Sequence, residues 1–205
     1  MLNFVILQCH LEFVTIAASK FMNKYDANIK NVIDFWFQEC KPKDWFKKDK
    51  KFDLVIEHRF LKLVENALQN KLKFWKKSID GSIALILLLD QFTRNIFRDN
   101  AKSFSGDQIA LAITFNCIDA GHLEVVNETK RQFILVPMMH TEILDIQEKS
   151  LPLFKKYTNQ RVYQFALRHR DVIKRFGRFP HRNKILDRVS SQKEIKFLEE
   201  PGSSF

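Results

Sequence analysis

Residues 83–98 constrain the fold of this chain more than any other stretch. Seven consecutive apolar residues, Ile83 to Leu89, are followed directly by charged and amide side chains at helical spacing. A helix that is so apolar at its start is buried in a core. At about 100° per residue, the polar side chains that follow share an arc of roughly 140°. These side chains, the polar stripe, are Asp90, Gln91, Arg94, Asn95 and Arg98.

The polar stripe needs partners, because ions that are buried without compensation are costly. Asp90 and Arg94 stand four residues apart in acid-before-base order, so we expect them to pair on the helix. Gln91, Asn95 and Arg98 have no such local partner. Either they brace neighbouring helices or they line a pocket. Bracing is the favoured interpretation, since structural networks of this kind outnumber functional sites.

The rest of the chain is also helical in pattern. Its 205 residues include 5 Gly and 5 Pro, which is few for an all-β fold with many tight turns. No alternating apolar and polar run of strand length occurs. We therefore predict an all-α fold of about seven to nine helices, most neighbours antiparallel, in a single domain over residues 23–205.

Local signals predict several helix ends. We expect Asp80 to be the N-cap of the central helix and Asp107 that of the next. The apolar run over residues 131–136 should end before Pro137, and residues 138–157 should form the following helix. The other predicted helices cover residues 28–39, 52–69, 159–176 and 180–186, with a capping box of Ser191 and Glu194 before the last helix.

Residues 1–22 differ from the rest of the chain. They are fairly apolar, but Gln8, His10 and Glu12 interrupt them. No Lys or Arg precedes their apolar run, so they make a poor secretory signal. No stretch reaches the ~18 consecutive apolar residues of a membrane span. We predict an N-terminal extension that is disordered or that precedes the true start. The three cysteines form no CxxC motif and fit a reducing, cytoplasmic location.

The chain is basic, with a net charge of +10. Lysines cluster in residues 41–51 and 71–77, with aromatic residues among them at spacings that suit a core. We interpret these lysines as solvated surface. The alternative is a patch for an anionic partner. Nucleic acid is not an expected partner, whereas weak contact with a membrane surface stays open.

Two histidines lie in predicted helices. His140 and Gln147 are seven residues apart and should share one helix face, whereas Glu142 points elsewhere, so this stretch is not an HExxH zinc helix. His169 lies on an apolar face. A lone histidine there is more commonly a core residue that hydrogen-bonds to a backbone carbonyl than a ligand.

Residues 175–183, here called the basic elbow, join two predicted helices. Three arginines and a histidine crowd around one helix N-terminus: Arg175, Arg178, Arg182 and His181, followed by Asn183. Such a terminus suits an anion, because its N–H groups are free and its dipole end is positive. The alternative, which we favour, is that these cations cover backbone carbonyls and neutralise carboxylates such as Asp90 or Glu142.

Sequence motifs of catalysis and cofactor binding are absent. No P-loop, GxSxG motif or Cys/His dyad occurs. Four residues have side chains that a divalent metal accepts; they are His140, Glu142, His169 and His181. Nothing in their spacing demands a metal, so we expect neither metal nor cofactor.

Six motifs follow one another between residues 34 and 183. They are Asp34-Phe-Trp-Phe; Trp45-Phe46-Lys-Lys-Asp49 with Phe52-Asp53; the stretch from Leu87 to Arg98; Pro137-Met-Met-His140-Thr-Glu142; Arg168-His169-Arg170-Asp171; and the basic elbow. In this order they resemble the bacterial domain-of-unknown-function 924 family, and residues 197–205 resemble its C-terminus. The resemblance covers about residues 29–205. It implies a helical fold of the tetratricopeptide-like superfamily and no assigned activity.

Three positions depart from the pattern of that family. Thr93 stands where Pro is usual, Thr141 where Ser is usual, and Asp187 where Gly is usual. A Pro after Phe92 would kink the helix. We therefore expect a straighter turn after Phe92 in this chain.

Two functions of different classes follow from these residues. The first, which we favour, is a binding module whose inter-helix surface takes an anionic peptide or small molecule, because the planar fork of Arg suits carboxylate and phosphate. Its candidate ligand-binding residues are Asp90, Gln91, Arg94, Asn95, Arg98, His140, Glu142, His169, Arg178, His181, Arg182 and Asn183. The second is a hydrolase-like enzyme. Its base would be His140 or His181, paired with Asp90 or Glu142, and arginines would stabilise negative charge.

Overall fold

The computed structural model describes residues 27–203, which belong to two compact units. The first unit includes helix α1, residues 27–39, which is α-helical up to residue 34 and π-helical over Phe35–Glu39. The loop that follows returns to this helix: Trp45 Nε1 donates to the Trp36 carbonyl at 3.0 Å. The predicted extension, residues 1–22, lies outside the described residues, and the single domain stays a prediction.

Regular structure in the second unit, described over residues 48–203, consists of helices. Its α-helices are α2 (Lys50–Leu68), α3 (residues 79–96), α4 (Asp107–Asp119), α5 (His122–Val125), α6 (Glu128–His140), α7 (Leu144–Tyr157), α8 (Gln160–Phe176) and α9 (Gln192–Leu198). Short 3₁₀ turns lie at Lys73–Lys77, Ala101–Phe104 and Pro180–Arg182. With nine helices and no strand in residues 27–203, the predicted all-α class is confirmed. Within the same residues, no helix has the length and apolarity to cross a bilayer.

Helix α3 is the centre of the second unit. It packs against α2, α4 and α6, and residues 81–90 are all buried, as the apolar run predicts. The helix has three parts: an α-helical part, Ile79–Ile86; a π-helical turn, Leu87–Phe92; and a final α-helical part, Thr93–Ile96. Helical backbone thus continues through Thr93, and the polar stripe begins inside a π turn, a feature that is frequent at functional sites.

Two expected N-caps are wrong. Ser78, and not Asp80, caps α3, because its Oγ accepts a hydrogen bond from the Gly81 N–H at 3.1 Å. At α4, Gly106 takes the N-cap position and Asp107 is the first helical residue. The carboxylate of Asp107 is therefore free to reach other elements.

The expected helix break at Pro137 is also wrong. Helix α6 continues through Pro137 as far as His140, because residues 132–139 are all buried and their packing outweighs the lost N–H. The break comes at residues 141–143, so His140 and Gln147 lie on different helices. Gln147 instead braces the break: its Nε2 donates to the carbonyls of Met139 at 2.6 Å and Thr141 at 2.9 Å.

Candidate functional site

A buried carboxylate and a half-buried imidazole meet between the π turn of α3 and the end of α6. His140 Nδ1 lies 2.7 Å from Asp90 Oδ1, and the side chains are 18% and 1% exposed, respectively. An ionised carboxylate accepts hydrogen bonds but cannot donate them, so Nδ1 carries the ring proton and Nε2 is an acceptor. None of residues 27–203 hydrogen-bonds to Nε2. The unprotonated edge of His140 therefore faces away from Asp90.

Two neighbours in the polar stripe keep Asp90 ionised. Gln91 Nε2 donates to Asp90 Oδ2 at 2.5 Å, and Arg94 Nη1 lies 3.3 Å from Asp90 Oδ1. Burial raises the pKa of Asp90, but the charge of Arg94 and the contact with His140 outweigh burial, so this pKa falls well below its usual value. The predicted Asp90–Arg94 pair is confirmed.

His140 is neutral at pH 7 in this environment. Burial lowers its pKa, the charge of Asp90 raises it, and Arg94 lowers it, with a net shift below the usual value of 6.5. A neutral imidazole with a free Nε2 lone pair can take up a proton. The pair of Asp90 and His140 therefore has the arrangement of a general base and the carboxylate that orients it.

Asp107 joins the polar stripe to the basic elbow. Its Oδ1 accepts from Arg94 Nη1 at 2.8 Å, and its Oδ2 accepts from Arg94 Nη2 at 3.0 Å. Arg182 Nη1 lies 3.5 Å from the same Oδ2, and Arg182 Nη2 donates to the His140 carbonyl at 3.0 Å. The elbow thus reaches the Asp90–His140 pair through Arg182.

Arg182 is a buried cation with few partners. Its guanidinium Cζ lies 4.6 Å from the ring centroids of both Phe104 and Phe179. The residue is 6% exposed, and its buried Nε makes no hydrogen bond in the described part of the chain. Burial, followed by the charge of Arg94, lowers the pKa of Arg182 to about 10.

Two more histidines lie close to this cluster. The rings of His169 and His140 are 6.1 Å apart, and His169 Nδ1 lies 2.8 Å from the Phe165 carbonyl, the backbone contact that the sequence predicts. The ring of His181 lies 5.5 Å from that of Phe179. Burial is the main cause that lowers the pKa of both histidines, that of His181 to about 3.

Two residues of the polar stripe lie outside the cluster. Asn95 Nδ2 donates to Asp53 Oδ1 at 2.8 Å. Arg98 donates to both oxygens of Asp53, from Nε at 2.6 Å and from Nη2 at 2.7 Å. These contacts hold α3 against α2, which agrees with bracing and not with a shared pocket.

Glu142 holds both the elbow and the chain that follows it. Its Oε1 accepts from the Phe179 N–H at 2.8 Å, and its two oxygens accept from Arg188 at 2.7 and 3.0 Å. Burial raises the pKa of Glu142, but the hydrogen bonds from Arg188 and Phe179 lower it by more. The net pKa of Glu142 therefore lies below the usual value. Glu142 therefore has a structural role beside the cluster, because its carboxylate is already bound by Phe179 and Arg188.

Arg178 does not approach Asp90, contrary to the expected convergence. It donates from Nε and Nη2 to the two carboxylate oxygens of Glu194, at 2.7 and 2.9 Å. Asn183 Nδ2 also donates to Glu194, at 3.2 Å. Both residues thus tie the elbow to α9, and the capping box of Ser191 and Glu194 is confirmed.

Four partners in these networks were missed from the sequence. They are Asp53, Asp107, Arg188 and Glu194. Asp53 lies in one of the six motifs, and this position was a signal of its importance. For Asp107, Arg188 and Glu194, no sequence signal identified the arginine or carboxylate with which each one pairs. In residues 27–203, no three or more His, Cys, Asp or Glu side chains are arranged to hold a metal ion.

Fold and site together define a helical protein in which a buried aspartate, Asp90 in the π turn of the central helix, contacts His140 at the end of α6. The chain belongs to the family described as bacterial protein of unknown function (DUF924), which matches residues 32–202. It is similar to the solved structure of a protein of unknown function, ATU0120 from Agrobacterium tumefaciens. That similarity has 36% identity and a TM-score of 0.81, and covers 85% of this chain and 98% of the other. Comparison with curated proteins gave no match.

Proposed function

We propose that the protein is an enzyme in which His140, oriented by Asp90, removes a proton from a bound substrate or from water. The observation that supports this proposal is an imidazole whose Nδ1 is held by a buried, ionised carboxylate and whose Nε2 has no hydrogen-bond partner among residues 27–203. A core histidine needs no such carboxylate, because a backbone carbonyl, such as the Phe165 carbonyl that His169 Nδ1 contacts, can orient the ring. The cost of burying Asp90 is thus better explained by catalysis.

The pair would act in a defined way. Asp90 fixes the ring so that the Nε2 lone pair points outward, and its charge stabilises the imidazolium that forms when Nε2 takes a proton. Asp90 itself stays ionised, because Gln91 and Arg94 hold its carboxylate. No Ser, Thr or Cys of residues 27–203 hydrogen-bonds to Nε2. The proton would therefore come from substrate or water, which favours hydrolysis with water as the nucleophile.

The proposal is tested by hydrolysis of 4-nitrophenyl acetate and 4-nitrophenyl phosphate. We expect His140→Gln to lower kcat/KM by about 10²–10⁴-fold, with Asp90→Asn acting in the same direction. The rate should rise with pH and level off below neutrality, because the pKa of His140 lies below 6.5. His58→Gln, at an exposed position of α2, is the control. Equal rates in wild type and His140→Gln would contradict the proposal.

Binding of an anionic peptide or small molecule without chemistry is the second candidate. The donor-rich guanidinium of Arg182 favours it, since its Nε lacks a partner in the described residues. If the protein only binds its ligand, the cluster around Asp90, Arg94 and His140 would form a rigid part of the binding surface and perform no chemistry. A ligand that binds wild type and His140→Gln equally, without turnover in either, would support binding alone. The tetratricopeptide-like arrangement, the cytoplasmic location and the role of the surface lysines stay predictions.

A further inference from the structure

We infer that the substrate carries an anionic oxygen group, a carboxylate or a phosphate, which binds at the edge of the Arg182 guanidinium beside His181. This anion site rests on the proposed function in one respect: the reacting part of the substrate is placed at Nε2 of His140. The anion would then be bound next to the residue that provides the base, since Arg182 Nη2 donates to the His140 carbonyl at 3.0 Å.

Two aromatic rings lie against Arg182. The ring centroids of Phe104 and Phe179 are each 4.6 Å from its Cζ. We expect an anionic oxygen to approach in the guanidinium plane, where the N–H groups point. In-plane approach by two oxygens is the geometry with which arginine binds carboxylate and phosphate.

The in-plane donors of Arg182 are poorly used by the protein. A guanidinium has five N–H donors. Nη2 has one partner, the His140 carbonyl; Nη1 faces Asp107 Oδ2 at the long distance of 3.5 Å; and the buried Nε has none among residues 27–203. Buried donors without partners cost free energy. An anionic oxygen at this edge would remove that cost.

The charge of Arg182 is also incompletely neutralised. Asp107 is its nearest carboxylate, but Arg94 holds both oxygens of Asp107 at 2.8 and 3.0 Å. A buried cation that shares one carboxylate with a better-placed arginine favours a further anion. In agreement, burial and the charge of Arg94 lower the pKa of Arg182 to about 10.

Lys48 is an exposed cation whose charge acts on the same region. In the described part of the chain it forms no ion pair. After burial, the charge of Arg182 is the main cause that lowers the pKa of His181, and the charge of Lys48 acts in the same direction. Glu142 opposes these charges, but Arg188 already holds its carboxylate. An anion at the Arg182 edge would therefore also be attracted by Lys48.

Titration calorimetry with inorganic phosphate and with acetate tests the anion site in the full chain. We expect Lys48→Gln to weaken phosphate binding about two- to fivefold, the effect of removing one exposed charge. Lys50→Gln, the matched exposed control, should leave it unchanged. Arg182→Lys keeps the charge but loses the planar fork, so binding should weaken by about tenfold or more. Tighter phosphate than acetate assigns a phosphate group, and the reverse a carboxylate.

Failure of the anion site can be told from failure of the proposed function. If neither anion binds, or if Arg182→Lys binds phosphate as wild type does, the anion site is wrong, whatever the hydrolysis rates. His140→Gln should retain the wild-type Kd for phosphate. If His140→Gln also retains wild-type turnover while Arg182→Lys weakens binding, the base is wrong and the anion site stands.

Discussion

A Cβ atom on Gly106 would lie 2.1 Å from the carbonyl oxygen of Leu89. This close approach presses the start of α4 against the π turn of α3. The next residue, Asp107, thereby reaches Arg94 at 2.8 Å. The missing side chain of Gly106 thus lets the start of α4 come close enough for Asp107 to pair with Arg94 of the polar stripe.

Gly106→Ala should therefore destabilise the fold. The obstacle is backbone and not the end of a flexible side chain, so α4 and the π turn must separate. We expect a loss of about 1–3 kcal/mol in the free energy of unfolding, the usual cost of overpacking, measured by urea denaturation. Gln108→Ala, exposed on the same helix, should change it by less than about 0.5 kcal/mol. Equal effects of the two changes would rule out a tight contact.

Asp107→Asn should release both arginines that share its carboxylate. Arg94 and Arg182 would then keep their charges in a largely buried setting without the shared anion. Breaking such a pair costs about 3–5 kcal/mol when it is fully buried, and we expect roughly 2–3 kcal/mol here because Asp107 is partly exposed. Asp145→Asn breaks an exposed pair with Lys149 and should cost less than about 1 kcal/mol. Thermal unfolding of both variants at pH 7 measures the difference.

The tautomer of His140 can be observed directly. Contact with the ionised carboxylate of Asp90 requires a proton on Nδ1 and none on Nε2. Nitrogen-15 NMR of the imidazole at pH 7.5 should show this tautomer in wild type. Asp90→Asn removes the charge that selects it, so the Nε2-protonated form should gain population. A wild-type spectrum with the proton on Nε2 would be incompatible with the proposed base.

Stability should decrease as pH falls below 6.5. The pKa values of His140, His169 and His181 all lie below that ordinary value in the folded chain. Below pH 6.5 the unfolded chain therefore binds more protons than the folded one, and the free energy of unfolding falls with pH. Asp90 adds to this loss below about pH 4, where its unfolded form begins to take up a proton.

Urea denaturation between pH 7.5 and 4.5 measures this dependence. Each histidine contributes up to about 1.4 kcal/mol per pH unit, so a loss of at least about 1 kcal/mol per unit is expected below pH 6.5. His181→Asn, which removes the group whose pKa falls to about 3, should make the decrease less steep. A stability maximum near pH 5 would be inconsistent with buried neutral histidines.

Contacts between residues close in sequence could be predicted for this chain. Contacts between helices could not, apart from His140 with Asp90, which was one of several alternatives for a base and its carboxylate. Asp90 with Arg94, and Ser191 with Glu194, are separated by three or four residues, so helix geometry alone brings them together. Arg98 finds its carboxylate 45 residues away at Asp53. Helical periodicity shows which face of a helix is polar but not which helix lies beside that face.

The π turn explains another part of what the sequence did not reveal. A helical wheel drawn at 100° per residue assumes α geometry throughout, whereas Leu87–Phe92 is wound more loosely. No periodicity distinguishes such a turn within a run of buried leucines. The angular positions of Asp90 and Gln91 around the helix, relative to Arg94, could therefore be predicted only approximately. That the three residues lie near one another was predicted.

Thr93 closes the π turn, and its hydroxyl should contribute measurably to stability. Thr93 is fully buried, and its Oγ1 donates to the Leu89 carbonyl at 2.8 Å. Thr93→Val keeps the shape but leaves this buried carbonyl without that donor, at a cost of about 1 kcal/mol in the free energy of unfolding. Thr129→Val, in the first turn of α6, should cost less than about 0.5 kcal/mol. Because the same peptide segment holds Asp90, Thr93→Val should also shift the His140 imidazole resonances, whereas a purely local defect would leave them in place.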